Sequence, residues 1–415
     1  MNLMTKFKRL GNNNFHALTH KNFRYYWFGQ CISLIGTWMQ SIGQSWLVFT
    51  ITGSPFLLGL VGTIQFLPIT IFSLFAGVVV DRFPKKKILL ITQSISMLLA
   101  LTLSILVFTH TVKYSYILII ALILGFTNTL DTPTRQTFVV EVVGKEDLMN
   151  AIALNSAVFN LARILGPSIG ALIMSLLGAG WCFLLNGLSF IAVIYGLIKI
   201  KPTPYVRKTN SESKILKEIK DGLLYIYKTP KLMKTVLIVF VLGVFAFNYN
   251  VLLPVFTKNV LHQSEGTYGF LMASLGIGSL IGAVTVSLKS RKGPKHSTLL
   301  LSSIIVSIML MLTGLSKLEY IAAFSLAITG VFNIYFSTTA NSTLQINAKD
   351  EYRGRVMSVY ALVFAGSTPI GNLFSGTAAD KLGASSAFVV SGILSLLFIT
   401  ILVIIFNRKP NSEKA

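Results

Sequence analysis

Acidic residues are scarce in this chain. Asp and Glu number 14 in 415 residues, against 36 Lys and Arg, for a net charge of +22. Charged residues of both signs make up only 12%, well under the roughly one quarter usual in soluble domains, so there are too few to solvate a soluble surface. With two cysteines and five histidines there is no disulfide framework and no Cys/His set at metal-ligand spacing. A phosphate-binding loop of the Walker type is missing, and so is a Ser/His/Asp arrangement. Neither ATP hydrolysis nor covalent catalysis is implied. No enzymatic activity, metal or cofactor is expected.

What the chain has instead is apolar length, with 53% hydrophobic residues. Windows long enough for a membrane helix run over about 25–50, 56–80, 88–109, 114–142, 149–176, 181–198, 235–257, 266–288, 298–315, 319–346, 354–378 and 384–406. The reading is an all-α membrane protein of twelve transmembrane helices. The fourth, fifth and tenth windows exceed what hydrocarbon needs, so their ends are expected to project into the cytoplasm.

The basic residues are asymmetric across these spans. All but five of the 36 Lys and Arg fall in the N-terminal tail, the even-numbered loops and the C-terminal tail. The exceptions are Lys113, Lys258, Lys317 and Lys381 in the opposite loops, and Arg163 inside a span. Excess Lys and Arg mark the cytoplasmic face, which puts both termini there. Nucleic acid is excluded as a partner because the charges sit in short segments between apolar runs and form no continuous basic face. Anionic lipid accounts for the same charge. The first apolar run is too long for a cleaved signal and reads as a retained helix in the cell (plasma or inner) membrane. Cys31 and Cys182 fall near opposite faces and out of disulfide reach. His16, His20 and His296 in basic segments, and His110 and His262 near the other face, read as solvated.

The longest polar stretch lies between the sixth and seventh spans and divides the chain into a bundle over 1–198, a linker over 199–234 and a second bundle over 235–415. In the linker Ile215, Leu216, Ile219, Leu223 and Ile226 recur at helical spacing, which predicts an interfacial amphipathic helix. The two bundles are related. Gly59 to Leu90 and Gly269 to Leu300 match at Gly59 with Gly269, Arg82 with Lys292 and Lys85 with Lys295. Gly125 and Asn128 match Gly330 and Asn333, and Gly166-Pro167-Ser-Ile-Gly170 resembles Ser-Thr-Pro369-Ile-Gly371. Two pseudo-symmetric six-helix bundles with a site near the midplane are a transporter plan, since rocking one half against the other alternates access.

Charges inside the spans are the sharpest functional signal, because burying one at a helix centre costs about 2.5–3.5 kcal/mol even on a lenient scale. Asp131 and Arg163 lie on successive antiparallel helices at similar depth. They are proton-coupling candidates, with Asp131 as the protonated group and Arg163 or Arg135 as its partner; a structural ion pair is the competing reading. Proline and glycine at Gly166, Pro167, Gly170, Pro369 and Gly371 permit a bend and close helix approach. The first helix carries Gln30, Ser33, Thr37, Gln40 and Gln44 three and four apart, one polar stripe facing a cavity. Asn128, Asn155, Asn160, Asn248, Asn250, Asn333 and Tyr335 are further cavity candidates. Each amide alone reads first as interhelical glue, and the cavity rests on the set as a whole.

Gly77-x-x-x-Asp81-Arg82-x-x-Lys85-Lys86-Lys87 resembles the cytoplasmic signature loop of the major facilitator superfamily. Asn22-Phe-Arg-Tyr-Tyr-Trp-Phe-Gly-Gln30, Asp131-Thr-Pro-Thr-Arg135-Gln136, Asn160-Leu-Ala-Arg163-Ile-Leu-Gly166-Pro167 and Arg353-Gly-Arg355-Val-Met-Ser358 are similar to its branch of enterobactin exporters and macrolide efflux proteins. The chain departs from the loop pattern at Pro84, where glycine is usual. The resemblance implies secondary export of amphipathic or hydrophobic small molecules, driven by protons, by a monomer in contact with membrane lipid. Gly166-Pro167-x-x-Gly170 likewise resembles the antiporter signature of drug exporters. In the gating loop, an Asp81 carboxylate near Arg353 and Arg355 is placed to meet the positive end of the eleventh helix. A lipid or lysolipid flippase and a transport-inactive membrane sensor or scaffold stay open as alternatives.

Overall fold

The structure, a computed structural model, describes residues 16–144, 146–201, 213–289 and 293–408. With no water in hydrocarbon, a backbone has to bond to itself, and every regular element among the described residues is helical. After a short 3-10 turn (His16–Thr19) come α1 (Lys21–Thr52), α2 (Pro55–Arg82), α3 (Lys85–Phe108), α4 (Tyr114–Val143), α5 (Leu148–Leu177), α6 (Ala179–Lys199) and α7 (Ser213–Lys228). They are followed by α8 (Pro230–Phe245), α9 (Tyr249–Asn259), α10 (Glu265–Lys289), α11 (His296–Leu315), α12 (Glu319–Asn347), α13 (Asp350–Leu382) and α14 (Ala384–Arg408).

Among the described residues, eleven stretches are long and apolar enough to cross a membrane. The 32-residue α1 is not one of them, because its glutamines and serines dilute its apolar character. The window over 235–257 is not one unbroken helix. α8 and α9 together form one apolar stretch, Pro230–Asn259, interrupted at Ala246–Asn248. There the Asn248 side-chain amide donates to the Val244 carbonyl at 2.7 Å, supplying a bond that continuous backbone would otherwise make.

Contacts divide the chain into two units, Met1–Gly43 with Ile71–Asn210, and Gln44–Thr70 with Ser211–Ala415. In the first, α3 packs between α4 and α6. Ser104 of α3 donates to the Gly180 carbonyl at 3.0 Å, and a Cβ on Gly187 would meet Leu101 Cδ2 at 2.6 Å. The bend glycines Gly166 and Gly170 lie against Trp38, Ile35 and Met39 of α1, too close for any side chain, which is the close approach that small residues permit.

In the second unit α11 packs between α12 and α14, the arrangement of α3 one repeat later. Gly392 of α14 lies on Ser307 and Met311 of α11 as Gly187 lies on α3. α5 and α13 end at Gly178 (φ 91°) and Gly383 (φ 80°), left-handed caps that only glycine adopts without strain. These two are separated by the same 205 positions as Gly125 and Gly330.

The linker helix α7 is docked on protein. Ile226 is 2% exposed in a cluster with Leu232, Val236, Leu344, Val356 and Val359. Tyr225 stacks on Tyr352 with centroids 4.3 Å apart, and its hydroxyl accepts the Lys349 amide at 3.1 Å. Side chains of Ile215, Leu216 and Ile219 lie outside the described residues.

His16 and His20 are solvent-accessible, as read from the sequence, and also engage Asp147. His16 Nδ1 and His20 Nε2 reach the two oxygens of Asp147 at 2.7 and 2.6 Å, and Asn150 accepts the Ala17 amide at 3.0 Å. The bonds from His20 and then His16 hold the Asp147 carboxyl below its ordinary value. A depressed carboxyl contributes above its unfolded pKa and loses that contribution as pH falls through the lower folded value. Protection of the His16–Thr19 turn against hydrogen exchange, relative to the intrinsic rate at each pH, is therefore expected to fall below about pH 4, and to be lower at every pH in Asp147→Asn. Unchanged exchange in that variant would show that the turn is held by Asn150 and packing alone.

Candidate functional site

Asp131 sits on α4 and is 6% exposed. Its Oδ1 accepts from Thr92 Oγ1 at 2.6 Å and from Gln93 Nε2 at 2.8 Å, both on α3. Its Oδ2 accepts from Arg135 Nε one turn along α4, and the same guanidinium donates to Gln30 Oε1 on α1. The Tyr26 hydroxyl, also on α1, lies against Arg135. Three helices of the first unit thus meet at one carboxylate. Each donor is what a charge away from water requires.

The stripe on α1 serves several neighbours. Gln30 belongs to the Asp131 cluster, whereas Gln40 accepts from Asn186 of α6 at 2.6 Å. Gln44 donates to Gln65 of α2 at 3.3 Å. Ser33 is buried, and Thr37 caps back onto the Ser33 carbonyl at 2.9 Å. Asn128 and Asn155 are half-buried, and Asn160 bonds the Ser156 carbonyl of its own helix at 2.8 Å. Arg163 is half-buried on α5.

In the second unit, Asn248 is buried and Gly371 packs directly on its amide and on the Val244 carbonyl. The Pro369 carbonyl accepts from Thr63 at 3.0 Å. Asn333 donates to the Tyr249 hydroxyl at 3.1 Å. Beside the α8–α9 break, Phe247 stands 6.1 Å from both Phe336 and Phe364, and Tyr335 lies 5.9 Å from Phe332. Asn250 is half-buried at the start of α9.

The loop residues divide their charges. Lys85 approaches Glu141 of α4 at 3.5 Å. Lys86 Nζ donates to the Ile198 and Ile200 carbonyls at 3.1 and 2.8 Å, neutralising the negative end of α6. Arg82 is exposed, and Gly77 has open space around it. Arg353 pairs with Asp350 at 2.5 Å and donates to the Gln345 carbonyl, while Arg355 reaches Asp221 of α7 at 3.7 Å. The Asp81 side chain lies outside the described residues. Sequence reasoning missed Thr92, Gln93, Tyr26, Gln65, Asn186 and Glu141. The signal for Thr92-Gln93 was present, as a polar pair inside an apolar run.

A chain whose described elements are all helical, with these spans, repeated glycine-packed helix pairs and a polar cluster inside one of its units, is a multi-span membrane transporter of the major facilitator superfamily, and not an enzyme. Within that superfamily it belongs to the transmembrane secretion effector family, whose model matches residues 12–415. It is 28% identical to the staphyloferrin A transporter of Staphylococcus aureus (strain NCTC 8325 / PS 47), over 93% of this chain and 96% of that one. It is 24% identical to macrolide efflux protein A of Streptococcus pyogenes, over 89% and 92%. It is 23% identical to the enterobactin exporter EntS of Shigella boydii serotype 4 (strain Sb227), over 93% and 92%. Among solved structures, the nucleoside transporter NupG superposes with a TM-score of 0.75 at 12% identity, covering 94% of this chain and all of that one. A bacterial homologue of the human lysosomal transporter Spinster gives 0.72 at 12% identity over 93% and 96%. These structures share the fold.

Thr92→Val and Gln93→Leu each remove one donor from Asp131 and are expected to cost about 1–3 kcal/mol apiece, read as a lower midpoint of thermal unfolding in detergent. In an Asp131→Leu background the same changes are expected to cost much less. Equal losses in both backgrounds would mean that these side chains stabilise the helices independently of the carboxylate.

Proposed function

We propose that the chain is a secondary exporter of amphipathic or hydrophobic small molecules of the drug, macrolide or siderophore class, working by alternating access and driven by proton antiport. The observation that carries the coupling step is the buried Asp131 carboxylate with donors from two helices and a guanidinium linked to a third. Relatives across nearly the whole chain that are named as siderophore, macrolide and multidrug transporters support the substrate class.

Gln93 gives the proposal a chemical basis. Its Nε2 donates to the ionised carboxylate, while its Oε1 is buried without a partner. An amide carries both donor and acceptor. Rotation of the side chain by half a turn presents Oε1 to a protonated Asp131, so either state of the carboxyl keeps a hydrogen bond. Protonation also releases Arg135 from its charge partner, leaving a cation held by Gln30 on α1 and available to pull on that helix. Proton occupancy is in this way linked to the packing of α1 against α3 and α4.

The topology belongs to the same reading. α1 is the twelfth span, polar because it carries the cluster and the helix contacts, and both termini lie in the cytoplasm, as the Lys and Arg distribution supports. The protein acts as a monomer in the plasma or inner membrane, with Asp81, Arg353 and Arg355 at the cytoplasmic gate. Aromatic side chains around the α8–α9 break supply apolar surface for substrate, in keeping with the use of discontinuous helices at transporter sites.

In proteoliposomes with an imposed pH gradient, wild-type protein is expected to move members of a panel of macrolides, other hydrophobic drugs and catechol siderophores. Gradient-dependent flux should fall at least about tenfold in Asp131→Asn. Flux indifferent to gradient and mutation would remove the proton role, and no flux of any panel member would remove the exporter reading.

A further inference from the structure

On the first unit a groove of about 430 Å³ runs between α1 and α6, and its lining is polar at one end only. Along α1 it is met by Lys21, Arg24, Phe28 and Ile32, spaced three and four apart and so on one face. From Lys21 to Ile32 the helix rises about 16 Å, close to half of the ~30 Å hydrocarbon layer. The groove therefore has the depth of a single leaflet. Phe28, Ile32 and Tyr195 are 58%, 54% and 57% exposed, a run of largely uncovered apolar surface.

The floor is rigid. A Cβ on Gly196 would meet the Tyr25 carbonyl at 2.6 Å, and one on Gly29 would meet Val193 Cα at 2.9 Å. The backbones of α1 and α6 are thus in contact beneath the groove, and it cannot close by sliding them together. At its polar end Lys21 and Arg24 are exposed, and neither has an acidic partner among the described residues. Lys199, one turn beyond Tyr195, lies over that ring at 5.6 Å and adds a third positive charge. Lys86 donates to the Ile198 and Ile200 carbonyls at the end of α6 and offsets part of the negative potential there.

We infer that this groove is a binding site for one acidic glycerophospholipid of the phosphatidylglycerol type. Its phosphate sits between Lys21 and Arg24, and one acyl chain lies along Phe28 and Ile32. A zwitterionic lipid brings its own ammonium group to two cations that lack a counter-charge, and is disfavoured. Basic pockets between membrane helices select anionic headgroups on this physical ground. The site rests on the family's membrane setting and on no assumption about substrate, coupling ion or direction of transport.

The test is native mass spectrometry of the full-length protein released from bilayers of equimolar phosphatidylglycerol and phosphatidylcholine. Wild type should retain one lipid, with phosphatidylglycerol preferred about tenfold. The double variant Lys21→Gln/Arg24→Gln should lose that preference, Phe28→Ala should lower retention of either lipid, and Lys349→Gln, at another basic segment, should change nothing. Retention without headgroup preference, a preference that survives the double variant, or an equal loss in Lys349→Gln would each overturn the proposal. The last outcome would assign the effect to the diffuse positive field.

Discussion

A carboxylate inside a membrane protein has to be held by donors, because no water is there to do it, and the first unit is organised around that need at Asp131. α3 contributes Thr92 and Gln93, α4 contributes Arg135, and α1 is drawn in through Gln30 and Tyr26. The same rule operates at smaller stakes elsewhere. Gln40 pairs with Asn186, Thr313 with Ser325, and the Asn248 amide fills the gap at the α8–α9 break. Most hydroxyls in the spans bond back to a carbonyl of their own helix, and a few polar side chains pair across helices.

Glycine supplies the complementary device. Where α5 lies on α1, α6 on α3 and α14 on α11, the contact positions carry no side chain, so backbones approach closely and van der Waals contact replaces the hydrophobic drive that lipid cannot provide. That the α3–α6 and α11–α14 pairs repeat this packing gives the sequence repeat its physical meaning. The trio of α3, α4 and α6 is built like that of α11, α12 and α14, whereas the first unit buries a carboxylate at Asp131 and the second carries an aromatic cluster beside the α8–α9 break.

Much of this was legible in the sequence. Most apolar windows, the offset between the halves and the cost of a buried charge at Asp131 follow from composition and spacing, and the small residues Gly166 and Gly170 do lie in close contact with α1. The sequence offers Arg135 only as a second candidate partner after Arg163, and it is Arg135 that contacts the Asp131 carboxylate. Thr92 and Gln93 escaped because a hydroxyl and an amide are tolerated in any span, and only the fold reveals that they point at the same atom. The α1 stripe was visible as a stripe, but its residues fan out to three different helices, which spacing alone does not resolve. The break after Ala246 has no proline at the break itself and follows from a side-chain bond by Asn248. The linker helix was legible as amphipathic, while the packing of Ile226 against Val356 and Val359 is a tertiary contact that spacing alone does not reveal.

The central proposal is that protonation of Asp131 is coupled to cargo transport. The most direct measurement is proton release in weakly buffered detergent solution, followed with a pH indicator, on adding a hydrophobic drug that the protein carries. The account expects release from wild type that approaches one proton per bound drug molecule and is absent from Asp131→Asn when the drug still binds. Equal release from both proteins, or binding by wild type without any release, would contradict it.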